Sequence, residues 1–443
     1  MSHSLVAKPG PISDADHKAR LDRIAAMPEM GADNINIPPE TVAKWSSRFG
    51  VVGVLGLLLT LIGAFVVNTN HALAAFEVGL FVLTAASLGS LGLTMIFHSV
   101  NAGWHITIRR VMEKIASMLP LCLLGLFVCL IIELLPIHKG GSGVLLTWLR
   151  PEAQASHLME VKRPFLNIPF VLIRFAVYAA IWTFLSTKML SWSKEQDRTG
   201  DPALSRKMRF NSGWGLLAFA LSLAFFSFDF LMAMDFRFFS TMFGVYFFAI
   251  GMLASVSLIA VILAALRLSG RLTGVVTQEH FHDLGKFIFV FTCFWAYIAF
   301  SQYFLIWYSN IPEETRWFVH RQTNGWKTLF VILALAHFVV PFILFVSRAP
   351  KRSTLGLAFM GVYSLIVTVL DVIYIIRPMV YTDAAWTPDL AAATPANWWL
   401  DIAGLAAAAG IYFFFLIKKL GDGPLVPLKD PMLPESMAHK NYV

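Results

Sequence analysis

Ten apolar runs, each near the ~20 residues a helix needs to cross a ~30 Å hydrocarbon layer, constrain this chain more than any other feature. They lie near 46–68, 73–98, 112–136, 167–190, 212–234, 239–267, 286–309, 327–347, 354–377 and 397–418. Hydrocarbon offers no hydrogen-bond partners, so each run must satisfy its own backbone, which an α-helix does. Hydrophobic residues make up 57% of the 443 positions, too many for a water-soluble domain to hide. The sequence therefore reads as an all-α integral membrane protein with ten transmembrane helices. Segment 1–44 is polar and lacks an apolar core of signal-peptide length, so it is expected to stay attached. Segment 45–420 reads as the membrane domain. Segment 421–443, with Pro424, Pro427, Pro431 and Pro434, reads as a tail that is extended along a partner or disordered.

Charge gives the orientation. With the N-terminus inside, 25 of the 35 Lys and Arg residues fall on inner segments, among them Arg109, Arg110, Lys114, Arg206, Lys207, Arg209, Lys351 and Lys429. The positive-inside rule then places both termini in the cytoplasm. The net charge of +8 follows from this topology and gives no argument for nucleic acid. Cys122, Cys129 and Cys293 sit in apolar runs without metal-ligand spacing and read as small core residues. His71, His98 and His105 fall near interfaces and only His337 is deep, so two facing axial histidines for a b-type haem are missing. The chain reads as holding no metal and no tightly bound redox cofactor.

A weak internal repeat organises the middle of the chain. The fifth run ends SFDFLMAMD (227–235) and the ninth VTVLDVIYIIRP (367–378). Each places an acid, Asp229 or Asp371, in the outer part of a helix, with a charged residue six positions on. Two four-helix bundles in parallel orientation follow, near 73–234 and 239–377, with the first and last helices peripheral.

Ionisable groups within apolar runs are functional candidates because their burial is expensive. Glu77, Glu133, Arg174, Asp229, Asp371 and Asp401 fall in the outer half, Asp235 and Arg377 at its rim, and His337 near mid-depth. Ser87, Ser90, Thr94 and His98 are spaced three or four apart on one inner face of the second run. Acids outside and hydroxyls inside outline a proton route, with Arg174 as charge partner tuning an acid such as Asp229. The bland readings are that Arg174 and Asp229 form a structural ion pair, that the hydroxyls pack helices, that His337 is a satisfied core residue, and that Glu133 merely meets water at a helix end. In the seventh run, Tyr297, Ser301, Gln302 and Tyr303 interrupt an otherwise apolar stretch. They either glue helices together or line a buried polar pocket.

Three stretches carry a resemblance: FSFDFLMAMDFRFFSTMFGVYFF (226–248), HDLGKFIFVFTCFWAYIAFSQYFLIWYSNIPEET (282–315) and HFVVPFILFVSRAPKR (337–352). Together they resemble the F-subunit family of bacterial alternative complex III, quinol:cytochrome c (or other acceptor) oxidoreductases, similar in fold to polysulfide reductase membrane subunits of the NrfD type. The resemblance implies a ten-helix, non-haem-bearing subunit of the bacterial inner membrane. It implies a homologous C-type membrane subunit, an iron–sulfur subunit, multihaem and monohaem cytochrome c subunits and small membrane subunits as partners, with haem c and iron–sulfur clusters in those partners. It also implies menaquinol or ubiquinol as the ligand class. The expected share of this chain is a transmembrane proton pathway through Glu77, Asp229, Asp235, His337, Asp371, Asp401, Ser87, Ser90, Thr94 and His98, with Tyr297, Ser301, Gln302 and Tyr303 lining a quinone pocket. The alternatives are a purely structural anchor for redox subunits and a secondary transporter. Against the latter, no run is broken by Gly-Pro at mid-depth.

Overall fold

The computed structural model describes residues 14–136, 141–381 and 396–441. Among them, ten helices are long and apolar enough to cross a membrane and no strand occurs, so the chain is an all-α integral membrane protein. The helices are α1 (Pro39–Val66), α2 (Thr69–Ser99), α3 (Ile106–Leu134), α4 (Ile168–Thr199), α5 (Ala203–Phe230), α6 (Phe243–Leu268), α7 (Gln278–Ser309), α8 (Gly325–Phe345), α9 (Thr354–Ile376) and α10 (Trp398–Leu420). Ten crossings bring the segment before α1 and the segment after α10 to one side, called here the terminal face; the other is the distal face.

Helices α2–α5 pack in a ring, as do α6–α9, and α1 and α10 pair with each other on the outside of α2. The rings meet through α2 and α6, the most completely buried helices. Small residues permit this crossing: a Cβ on Gly89 would sit 2.2 Å from the Gly251 carbonyl oxygen, so the two backbones touch. Gly53 and Gly410 do the same for α1 and α10, where a Cβ on Gly410 would lie 2.2 Å from the Gly53 nitrogen. Lipid tails are as apolar as Leu, so close backbone approach, not hydrophobicity, holds such helices together.

Two helices depart from a regular course. α3 is made of Ile106–Ala116 and Leu119–Leu134 with Pro120 just after the break. α8 carries a π-helical stretch at Ala334–Val339, where the Ala336 carbonyl accepts the Tyr363 hydroxyl at 2.7 Å. A π-turn of this kind re-aims a side chain at the expense of regular bonding.

The tail departs from expectation. From Gly421 to Asn441 it folds against the terminal face instead of extending away, with Leu425, Val426 and Leu433 fully buried. Lys114 Nζ donates to the carbonyls of Leu420 and Gly423, both at 3.1 Å, and Arg109 meets Asp430 at 2.5 Å. Arg109 and Lys114 are thus buried contacts between helix and tail, and Arg110 is buried against Asp197 of α4 at 2.5 Å, so none of the three is a solvated topology signal alone. On the distal face, Glu133 is likewise buried instead of meeting water: its carboxylate accepts the Leu145 and Leu146 amides at 2.8 and 3.1 Å, anchoring the α3–α4 connection. Residues 382–395 and the connection at 137–140 lie outside the described residues.

The α2–α6 crossing gives a direct test. Gly89→Val is expected to lower the melting temperature of the detergent-solubilised protein by several degrees or abolish its recovery. Gly213→Ala, where a Cβ meets nothing within 4 Å, is expected to be neutral in the same assay. Equal behaviour would show that the crossing does not depend on the missing side chain.

Candidate functional site

A cavity of about 190 Å³ lies in the distal half of the second ring, between α6, α7, α8 and α9. The Pro312–Arg321 helix that joins α7 to α8 roofs it with Trp317 and Phe318. Its walls are mostly aromatic, including Trp295, Phe300, Tyr303, Phe330 and Phe338. Phe300 and Ala334 line it while exposed on the membrane-facing surface, so it opens between α7 and α8 toward lipid.

One carboxyl reaches this apolar space. Asp371 of α9 accepts hydrogen bonds from the Tyr246 hydroxyl and from Trp295 Nε1, the latter at 2.8 Å. No cation forms an ion pair with it among the described residues. The Tyr374 hydroxyl and Gln302 Oε1 are buried beside the cavity with no hydrogen-bond partner among the described residues. Such groups are costly unless something completes them. His337, on the π-turn of α8, stacks its ring on Trp295 with centroids 3.6 Å apart, and neither ring nitrogen has a partner among the described residues. It thus touches the indole that holds Asp371 without bonding the acid itself.

The roof is tied down by Arg321. Its guanidinium lies 3.6 Å from the Trp317 ring centroid and donates to the carbonyls of Tyr374 and Ile375 at 3.0 and 2.6 Å. Burial lowers its pKa to about 10, so it remains charged at neutral pH. Asp235, just beyond α5, feels that charge. Burial pushes its carboxyl up to about 6, while Arg321 and the Arg237 amide pull it back down.

The remaining acids are held differently. Asp229, at the repeat position equivalent to Asp371, takes Arg174 in a bidentate grip at 2.8 and 2.7 Å and the Tyr178 hydroxyl at 2.7 Å. Arg174 also lies over the rings of Phe165 and Phe170. Asp401 joins Arg377 at 2.5 Å and His71 at 3.2 Å, clamping α10 to α9 and α2. Glu77 sits with Cys129 and Glu133 around a void of about 10 Å³ between α2 and α3.

On the inner face of α2, Ser87 bonds the Tyr412 hydroxyl and Ser90 bonds Ser255, both at 2.8 Å, and Thr94 donates to the Ser90 carbonyl. Ser87 and Ser90 therefore also stitch α2 to α10 and α6, while Thr94 bonds within its own helix. His98 ends the stripe at the terminal face.

Of the four residues expected to line the pocket, Gln302 and Tyr303 do so. Tyr297 does not: its side chain is 65% exposed on the membrane-facing side of α7. Ser301 also lies off the lining. A helix turns about 100° per residue, so four residues spread over 297–303 cannot all face one cavity. Sequence reasoning missed Tyr246, Trp295, Tyr374 and Arg321. It also missed Thr368 and Ser364, which stand three and seven residues before Asp371 and so continue its face of α9 inward. The available signal was that spacing, together with Ser222 seven residues before Asp229.

Among the described residues, no three His, Cys, Asp or Glu side chains cluster as metal ligands. No protein-family model matches the chain, and no curated protein matches it.

Two measurements follow from these charges. Removing one member of a buried pair leaves the other unpaired, at a cost of about 3–5 kcal/mol. Arg174→Leu is expected to destabilise the solubilised protein on that scale, and adding Asp229→Asn to restore part of the loss. A double variant no milder than the single one would sink the coupling. For Asp235 the folded carboxyl binds its proton more tightly than the unfolded one, whose pKa is about 3.9. The folded state therefore holds more protons across roughly pH 4–6, and stability falls as pH rises through that window. Asp235→Asn is expected to raise the melting temperature at pH 7.5, with the gap narrowing toward pH 4. A gap independent of pH would show that the carboxyl is not shifted in this way.

Proposed function

We propose that this chain is a membrane subunit of a quinol-oxidising electron-transfer complex of the alternative complex III type, and that the Asp371 cavity receives the quinol ring and takes its protons. The observation that carries this reading is Asp371 itself: a buried carboxyl, bonded to neutral donors but to no cation among the described residues, in an aromatic slot open to lipid. A quinol is a flat, lipid-borne ring with two hydroxyls. It calls for stacking walls, a lateral entrance, hydrogen-bond partners for both oxygens and a proton acceptor within about 3 Å. Trp295, Tyr303 and Phe338 supply walls, Gln302 and Tyr374 supply open polar atoms, and Asp371 supplies the acceptor.

Oxidation of a quinol to its quinone releases two electrons and two protons. With no redox group of its own in this reading, the chain passes electrons to partner subunits bearing haem c and iron–sulfur clusters. Its own residues handle protons. Outward, Tyr374 and Asp235 stand under the Arg321 roof, and a carboxyl titrating near pH 6 can both take and release a proton at neutral pH. Inward, Thr368 and Ser364 continue the face of Asp371, and Ser257, Ser255, Ser90, Thr94 and His98 continue toward the terminal face. Ser257 and Ser364 hydroxyls are buried without partners among the described residues, which leaves them capacity to bond water. In this reading the distal face is outside, both termini are cytoplasmic, and the membrane is the bacterial inner membrane, in line with the excess of basic residues on the terminal side. Asp229 and Asp401, held by Arg174 and Arg377, serve structure.

Affinity purification of the tagged chain in a mild detergent is expected to bring c-type haem absorbance and iron–sulfur protein with it. In that preparation Asp371→Asn should lower quinol oxidation about a hundredfold, the scale of losing a positioned general base. Tyr297→Phe, on the lipid side, should leave the rate unchanged. A chain that elutes alone, without haem, overturns the complex. Normal turnover and proton yield in Asp371→Asn overturn the site. Normal turnover with diminished proton movement in sealed vesicles would make the cavity a proton station and not a quinol pocket.

A further inference from the structure

A second polar cavity, of about 290 Å³, lies at the terminal face, bounded by the ends of α2, α3 and α5 and by the folded tail. His98 and His105 line it from inside, 7% and 1% exposed. His98 Nε2 and both ring nitrogens of His105 have no hydrogen-bond partner among the described residues. Burial first, then the neighbouring His98 and Arg109, hold His105 well below the usual imidazole range, so it stands in the cavity as a neutral ring. Arg206 and Arg209, in the first turns of α5, line the same cavity, and neither is engaged in an ion pair among the described residues. Asp430 also lines it, but its charge is taken by Arg109 at 2.5 Å. What faces the space is a net positive lip over buried neutral donors.

The membrane side of this lip has a continuation. Phe210, Trp214, Leu217 and Leu221 follow Arg206 at steps of three or four along α5 and so share its face. They are 77%, 44%, 66% and 55% exposed. A guanidinium pair at the end of an exposed apolar stripe matches a molecule with a phosphate at one end and hydrocarbon at the other. Guanidinium groups bind phosphate through paired N–H bonds, and basic pockets between membrane helices are suited to anionic headgroups.

We propose that this cavity binds the phosphate of an anionic phospholipid headgroup, with the acyl chains laid along the α5 stripe. The phosphate meets Arg206 and Arg209 at the lip, and the histidine N–H groups complete its inner side. The site does not depend on what the distal cavity holds. A free phosphate ion would find the same donors but gain nothing from the stripe, and a zwitterionic lipid would bring its own cation to the arginines.

The test uses the full chain in detergent, with any subunits that accompany it. Phosphatidylglycerol, phosphatidylcholine and inorganic phosphate are compared by thermal stabilisation, and lipid retention is read by native mass spectrometry. Phosphatidylglycerol is expected to stabilise and be retained, the other two to do neither. Arg206→Gln with Arg209→Gln is expected to weaken phosphatidylglycerol binding about 25-fold, on the order of fivefold for each basic residue at headgroup depth. Lys188→Gln with Arg198→Gln removes the same charge from exposed positions outside the cavity and is expected to change binding little. An equal loss in both double variants would reduce the site to diffuse attraction and overturn it. Stabilisation by inorganic phosphate matching that by phosphatidylglycerol would overturn the lipid assignment, and equal retention of phosphatidylcholine would overturn recognition of the anion. The three-ligand comparison on the unaltered protein decides these last points even if a variant fails to fold.

Discussion

A charge inside a helix bundle surrounded by hydrocarbon must be met by a partner, and how each is met divides this molecule into fixed and labile parts. The penalty for an unmet ion is several kcal/mol, larger than any single packing contact here can offset. Arg174 meets Asp229, Arg377 meets Asp401, and Arg109 meets Asp430 and Glu113. Each pair joins separate segments, except Arg109 with Glu113, which share one helix turn. These pairs fix where helices sit: α4 to α5, α9 to α10, and the tail to α3. Asp371 is met differently. It has hydroxyl and indole donors but no ion-pair partner among the described residues, so a proton gained or lost there changes the net charge of the cavity.

The repeat makes that contrast sharper. Asp229 and Asp371 occupy the same place in the two helix rings, each near the distal end of its fourth helix, and each accepts a tyrosine hydroxyl. In the first ring Arg174 completes the acid and Phe165 and Phe170 cover the guanidinium. In the second ring Trp295 replaces the cation and an aromatic cavity replaces the cover. The first position is closed by an ion pair and the second borders a cavity. The rigid crossing of α2 and α6 at Gly89 and Gly251 holds both in one frame.

Much of this was legible in the sequence. The ten spans, the two bundles and the acids at the ends of the fifth and ninth helices follow from apolar run length and one short repeated pattern. The polar interruption in the seventh run marked the right helix for the cavity. The rest depended on facts the pattern does not carry. Which of Tyr297, Ser301, Gln302 and Tyr303 face inward depends on the rotation of α7, fixed by its packing against α6 and α9. The proline-rich tail looked like an extended or disordered segment because nothing local gives it order. Its order comes from Lys114 and Arg109, more than 300 positions away, whose buried donors need its carbonyls and Asp430. Nothing local in the sequence marks Arg321, and only the fold turns it over Trp317.

The π-turn of α8 is where local irregularity and chemistry coincide. A regular helix through 334–339 would carry His337 at a different angle, and the stack on Trp295 depends on that angle. The stack in turn fixes the plane of the indole whose Nε1 meets Asp371. Tyr363 caps the carbonyl that the turn releases, so the distortion leaves Ala336 satisfied. The π-turn thus falls on one of the two helices, α7 and α8, that border the opening of the cavity toward lipid. A wall with a widened turn, small residues at Ala334 and Ala336, and an exposed Phe300 opposite it is the part of the ring least committed to close packing. The opening toward lipid and the indole that holds Asp371 therefore both depend on the 334–339 turn of α8.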